Sequence, residues 1–337
     1  MAQRIGRYTI GLGNTAVKGY ASVVGKKEGE GPLAAGFDYI SEDTAFGEKT
    51  WEKAESRLQK DVLSRALNKA GATPDSIDII FSGDLLNQCI GSSYGLREFN
   101  IPFIGLYGAC STMAEALTLS AVFVDTGCAG MAAALTSSHF CAAERQFRFP
   151  LEYGGQRPPS AQWTVTGGGA VIVSRDGTGP LIKEVTIGRI ADLGVKDINN
   201  MGAAMAPAAA ETLKDYFADT GRKPDDFDLI TTGDLGSDGS ELLRELMERE
   251  NIKLGTNYTD CGLMIYDREK QDVHAGGSGC GCSGSVLCSF ILNNMCQGKL
   301  GEVLFLSTGA LMSPMSVQQG ESIPSVAHLV HLSSGRK

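Results

Sequence analysis

Gly71-Ala-Thr-Pro-Asp-Ser-Ile-Asp-Ile-Ile-Phe-Ser-Gly-Asp-Leu85 and Gly221-Arg-Lys-Pro-Asp-Asp-Phe-Asp-Leu-Ile-Thr-Thr-Gly-Asp-Leu235 follow one pattern without a gap, at an offset of 150 residues. Gly, Pro, two Asp, Ile and the closing Gly-Asp-Leu recur. Each copy reads as a helix end, a turn and a buried strand (77–82 and 227–232), and a helix pattern follows. A second match lies at an offset of 171. Cys110–Val124 and Gly281–Met295 are helix patterns, and each leads to an apolar strand, 131–136 and 303–307. The second half therefore carries an insertion between its two matches. Two long copies indicate a duplicated domain with pseudo-twofold symmetry, since solenoids need three or more short repeats. Helix alternates with strand in each copy, which predicts mainly parallel sheets covered by helices. Each half closes with a further strand, 163–174 and 326–332. The join lies near Gly177–Pro180, which divides the chain into halves 1–178 and 179–337.

Bulk numbers narrow the function. The 337 residues include 43 glycines, well above the usual ~7%, with no G-X-Y period. Thirty basic and 39 acidic residues leave a net charge of −9, which argues against nucleic acid as a partner. Nine cysteines, an odd number, exclude a complete disulfide framework and suggest a reducing compartment. No signal peptide or ~20-residue apolar span is evident, so any membrane association is expected to be peripheral.

The most informative local segment is Phe103-Ile-Gly-Leu-Tyr-Gly-Ala-Cys110-Ser-Thr. An apolar strand runs through a small-residue turn into a helix, with Ser111 or Thr112 as candidate caps. Backbone N–H groups and the helix dipole at that point attract anions and lower a thiol pKa. The alternative is a buried cysteine that only packs.

A duplicated α/β unit with a cysteine on such a turn resembles the thiolase-fold superfamily of thiolases and β-ketoacyl-acyl-carrier-protein synthases. Its glycine-rich segment before the matching helix of the second half is here Gly276-Gly-Ser-Gly-Cys-Gly-Cys-Ser-Gly284. Closer still, Gly83-Asp-Leu-Leu-Asn-Gln88, Gly108-Ala-Cys-Ser-Thr112, Thr136-Ser-Ser-His139, Glu152-Tyr-Gly-Gly-Gln156, Met205-Ala-Pro-Ala-Ala-Ala210 and Asp260-Cys-Gly-Leu-Met-Ile-Tyr266 are similar to the stage V sporulation protein AD (SpoVAD) family over nearly the whole chain. That resemblance implies an α/β thiolase-like fold of two βαβαβαββ halves in an αβαβα arrangement. It implies a homodimer that binds dipicolinic acid (pyridine-2,6-dicarboxylate), free or as the calcium chelate, for uptake into the developing spore. The protein would be cytoplasmic, peripherally associated with the forespore inner membrane, and would work with integral membrane proteins of the same channel system.

The resemblance also exposes losses. Active relatives keep a histidine or asparagine in the glycine-rich segment, where this chain has Ser278. The synthase histidine would fall near Thr232–Gly233, and the second thiolase cysteine near Ser307–Gly309. Thiolase chemistry needs a base and oxyanion donors beside the nucleophile, so a binding protein is expected rather than an enzyme. The alternative is an acyltransferase or condensing enzyme with Cys110 as nucleophile and His139 or His274 as base. A structural scaffold is a third class. Candidate ligand contacts are Cys110, Ser111, His139, Arg145, Asn87 and Ser278. Arg145 belongs to a long connection that also carries Gln146, Arg148, Tyr153 and Gln156, where an arginine would suit a carboxylate. Asp84 and Asp234 recur in both copies and read as caps or turn residues. Cys280-x-Cys282 has too few ligands for zinc, and no cofactor or metal site is expected.

Overall fold

A computed structural model describes residues 1–147 and 156–335. The first half runs β1 (Ala16–Gly25), α1 (Trp51–Ala70), β2 (Ile79–Gly83), α2 (Ile90–Leu96), β3 (Phe103–Leu106), α3 (Thr112–Thr126), β4 (Met131–Ser138) and β5 (Gly167–Ser174). The second runs β6 (Leu181–Thr186), α4 (Met201–Thr220), β7 (Leu229–Thr232), α5 (Gly236–Arg249), β8 (Tyr258–Asp260), α6 (Cys280–Val286), β9 (Glu302–Ala310) and β10 (Ser325–Ser333). Spatial order is β3-β2-β4-β5-β1 in one and β8-β7-β9-β10-β6 in the other, the same permutation. The two five-stranded units meet where Leu181 of β6 pairs with Ala16 of β1. The expected division at 178/179 falls in the turn between β5 and β6.

The repeated residues recur because they do the same work twice. Gly71 and Gly221 close α1 and α4 in the left-handed conformation, at φ 62° and 70°. Asp78 accepts from the N–H groups of Gly130 and Met131, and Asp228 does so from Gly301 and Glu302. Each aspartate thus ties the start of one strand to the start of its neighbour. The sheets differ from the expectation of mainly parallel strands. β2 is parallel to β3 and β4, and β7 to β8 and β9. The closing strands β5 and β10 run antiparallel to both their neighbours. The connections into them include the short helices Phe140–Phe147 and Pro314–Gln318, and each strand then runs back along its predecessor.

Period-two alternation sorts the strands between layers. Val303 and Phe305 of β9 face one core with Met113 and Leu117 of α3 and Val286 of α6. Leu304 and Leu306 face the opposite side, with Met205 and Leu213 of α4 and Leu243 and Met247 of α5. In the first half Leu135 and Ile172 meet Leu58 and Val62 of α1. The result is five layers: α1 and α2, a sheet, α3 and α6, a sheet, α4 and α5. The acidic run 241–250 is the outer face of α5. The insertion lies mainly between β8 and α6, where the first half passes directly from β3 into its helix.

Candidate functional site

Ligands of open α/β sheets bind beyond the carboxyl ends of the strands. A cavity of about 360 Å³ lies there, between the two halves. Tyr107, Ala109 and Cys110 reach it from the end of β3, and Ala310, Leu311 and Met312 from the end of β9. Leu85, Phe147 and Met201 add apolar wall. A separate two-stranded ladder pairs Trp163–Thr164 with Gly277–Ser278, so Thr164 and Ser278 sit opposite each other, one from each half, and both line the cavity.

Cys110 occupies a 3-10 turn, Ala109–Ser111, ahead of α3. Ala109 takes φ 51°, a conformation non-glycine residues rarely adopt. The turn places Cys110 toward the second half, within the electrostatic reach of Asp234. Asp234 is fully buried. It accepts from Thr308 Oγ1 at 2.8 Å, Ser278 Oγ at 3.0 Å and the Gly279 N–H at 2.9 Å. Three stretches marked as lacking catalytic partners thus converge on Cys110. They supply a carboxylate and two hydroxyls in place of histidine, asparagine and cysteine.

The electrostatics reverse the expected helix-dipole effect. Burial pushes the Cys110 thiol well above its usual range, and the Asp234 charge pushes it further. Burial also raises Asp234 itself, against the opposing effect of its hydrogen bonds. A neighbouring anion disfavours thiolate, so Cys110 is held as a thiol. Asp260 stands behind Asp234. Burial raises it to about 7, although it accepts from Thr232 Oγ1 and the N–H groups of Leu235, Gly236 and Gly262.

The other candidates are dispersed. Ser111 is buried and donates to Gly108 O, and Thr112 donates to Ala109 O, so neither side chain caps α3. His139 is buried, stacked on Trp51, with Nε2 2.8 Å from Thr44 O. Arg145 forms an ion pair with Glu52. Asn87 stands at the cavity rim, accepting from the Tyr107 hydroxyl at 2.9 Å while its own N–H donates to Gln146. His274 faces Asp272. Cys280 donates to Ser137 O. Arg148, Glu152 and Tyr153 lie outside the described residues.

Of the glycine-rich segment, only Ser278 lines the cavity. A Cβ on Gly281 would lie 2.2 Å from Gly167 O, so that glycine seats α6 against β5 rather than opening backbone to a ligand. Asp234, Tyr107 and Thr164 were not among the candidates. Asp234 was concealed by its repeat. Its counterpart Asp84 is a turn and cap residue, accepting from Leu86 N and from Ser92 N and Oγ.

The family model of stage V sporulation protein AD (SpoVAD) matches residues 6–333. Stage V sporulation protein AD of Bacillus subtilis (strain 168) is 46% identical over 312 residues, covering 93% of this chain and 92% of that protein. Among solved structures, 3-oxoacyl-[acyl-carrier-protein] synthase III from Aquifex aeolicus is similar with TM-score 0.57 at 14% identity, covering 95% of this chain and 99% of that one. Cerulenin-bound OleA from Xanthomonas campestris is similar with TM-score 0.61 at 12% identity, covering 99% and 100%. These distant likenesses establish the thiolase-like fold.

Proposed function

The chain belongs to the stage V sporulation protein AD family, and on that premise we propose that it is a binding protein for dipicolinic acid, free or as the calcium chelate. In this reading it serves uptake into the developing spore beside integral membrane proteins, as a homodimer and without catalysis. Among the described residues no helix is long and apolar enough to cross a membrane, which accords with a peripheral role. The ligand identity and the channel role follow from the family resemblance. The cavity contributes size, lying within the usual ~300–1,000 Å³ of small-molecule sites.

One observation favours binding over catalysis: the charge that acts on the Cys110 thiol is that of a buried carboxylate, Asp234, which raises it. An acyl-transferring cysteine needs a neighbouring base or cation that yields thiolate. Cys110 has instead a buried carboxylate whose acceptor positions already hold Thr308, Ser278 and Gly279. That arrangement suits a contact surface and opposes nucleophilic attack.

Calorimetric titration of pyridine-2,6-dicarboxylate, with and without calcium, tests the reading on the wild type and on Cys110→Trp, which fills the cavity. Saturable binding to the wild type and its loss in the variant are expected. Equal affinity in both proteins would move the site elsewhere. A stable acyl adduct on Cys110 after incubation with acyl-coenzyme A would favour the enzyme.

A further inference from the structure

We infer that the cavity selects ligands that bring their own hydrogen-bond donor or a bound cation, and that Asp234 and Glu144 are the positioning residues that impose this choice. The inference rests on the ligand-binding reading of the same cavity. It comes from where each side-chain proton of the wall goes. A hydroxyl that donates to a carboxylate oxygen points its proton at that oxygen and leaves only lone pairs for a ligand. Ser278 Oγ donates to Asp234 at 3.0 Å. Thr164 Oγ1 donates to the buried Glu144 at 2.9 Å. Farther out, the Tyr107 hydroxyl donates to Asn87, Ser316 Oγ to Ser313 O, and Ser313 Oγ to Ser316 Oγ.

Every hydroxyl proton on the described wall is therefore engaged away from the cavity. What these groups offer a ligand is lone pairs. Two of the acceptors, Thr164 and Ser278, are opposite one another in the ladder that joins the halves, about 4.8 Å apart at the backbone. A flat ligand could meet both with two donors on one edge. A bare carboxylate would have to draw a hydroxyl proton off Asp234 or Glu144, leaving a buried anion short of a partner, a costly loss. A protonated carboxyl, an amide N–H or a chelated metal ion with its waters meets the lone pairs directly. Calcium takes oxygen ligands of this kind.

The test uses pyridines of one outline and calorimetry on the full chain. Pyridine-2,6-dicarboxamide carries N–H donors, pyridine-2,6-dimethanol carries O–H donors, and dimethyl pyridine-2,6-dicarboxylate carries none. The dicarboxamide and the dimethanol should each bind at least about tenfold tighter than the diester, the worth of one or two hydrogen bonds. Asp234→Asn and Glu144→Gln can return an N–H to the hydroxyl and free its proton. In both, the amide-to-ester ratio should fall toward one. Ser278→Ala removes the acceptor, and with it one hydrogen bond to Asp234, while keeping both carboxylates in place, and should lower the ratio in the same direction. A diester that binds as well as the dicarboxamide overturns the inference, as does no binding of either. A ratio unmoved in both Asp234→Asn and Ser278→Ala also overturns it. Binding of the dicarboxamide with none of the dicarboxylate, calcium or not, would sink the dipicolinate reading and leave the selectivity standing.

Discussion

Cys110 and Asp234 set the electrostatic character of one side of the cavity. The cysteine sits where a thiolase-type nucleophile would be expected, yet its nearest charge is negative. The consequence can be measured as a pH dependence. Because burial and Asp234 both raise the thiol pKa, little thiolate exists at pH 8, and alkylation of Cys110 by iodoacetamide should be slow. Asp234→Asn removes the charge, moves the titration downward and should speed modification several-fold at the same pH. Peptide mass spectrometry can follow Cys110 apart from the other eight cysteines. Equal rates in the two proteins would mean that Asp234 does not set the thiol's state. That Cys110 and Ser278 stand on one cavity wall was legible, because a turn before a helix and a serine among glycines mark themselves. Asp234 was not, because its repeat partner Asp84 does a purely local job. His139 and Arg145 misled for a related reason. Their residue types suit a carboxylate, but only tertiary packing turns them toward Thr44 and Glu52.

At the scale of elements, the two quoted copies foretold the strand–helix order of both halves. Their helix caps, strand ties and alternating faces are all local signals. The direction of β5 and β10 was hidden, since strand sense depends on whether the chain crosses over, not on composition. The glycine segment shows the same limit. A dense run of glycines can leave backbone open to a ligand, but the structure uses this one for close packing. A Cβ on Gly281 would also meet Ser138 Oγ at 2.5 Å and Ser138 N at 2.8 Å. The obstacles include backbone atoms, which cannot rotate away. Gly281→Ala should therefore cost about 1–3 kcal/mol, as overpacked cores do, and should lower the thermal midpoint by a few degrees. Chemical denaturation read by far-ultraviolet circular dichroism gives the free energy directly. An unchanged midpoint would mean that α6 can lift from β5 without penalty.

At the scale of the whole molecule, large apolar side chains are exposed in a cluster around β3. Phe103 and Ile104 on that strand are 38% and 42% accessible, and Ile90, Tyr94 and Tyr107 are exposed beside them. The sequence reads Phe-Ile-Gly-Leu as an apolar strand, which commonly means a buried one. Instead β3 ends the strand order, paired with β2 alone. An apolar edge strand with one row of unpaired backbone groups invites a second chain. The homodimer of the proposed function would join two copies there about a twofold axis, edge to edge, since an isologous contact closes on itself and leaves no edge free. Sedimentation of the wild type should then give the mass of a dimer. Ile104→Lys, which places like charges near the axis, should give a monomer with unchanged circular dichroism. A wild-type monomer, or a dimer indifferent to Ile104→Lys, would reject this contact. Tyr107 is the residue after β3 and lines the cavity, held by Asn87. Freeing the edge should therefore also loosen that wall, so the monomeric variant should bind ligand more weakly than the dimer while retaining the same amide-to-ester preference.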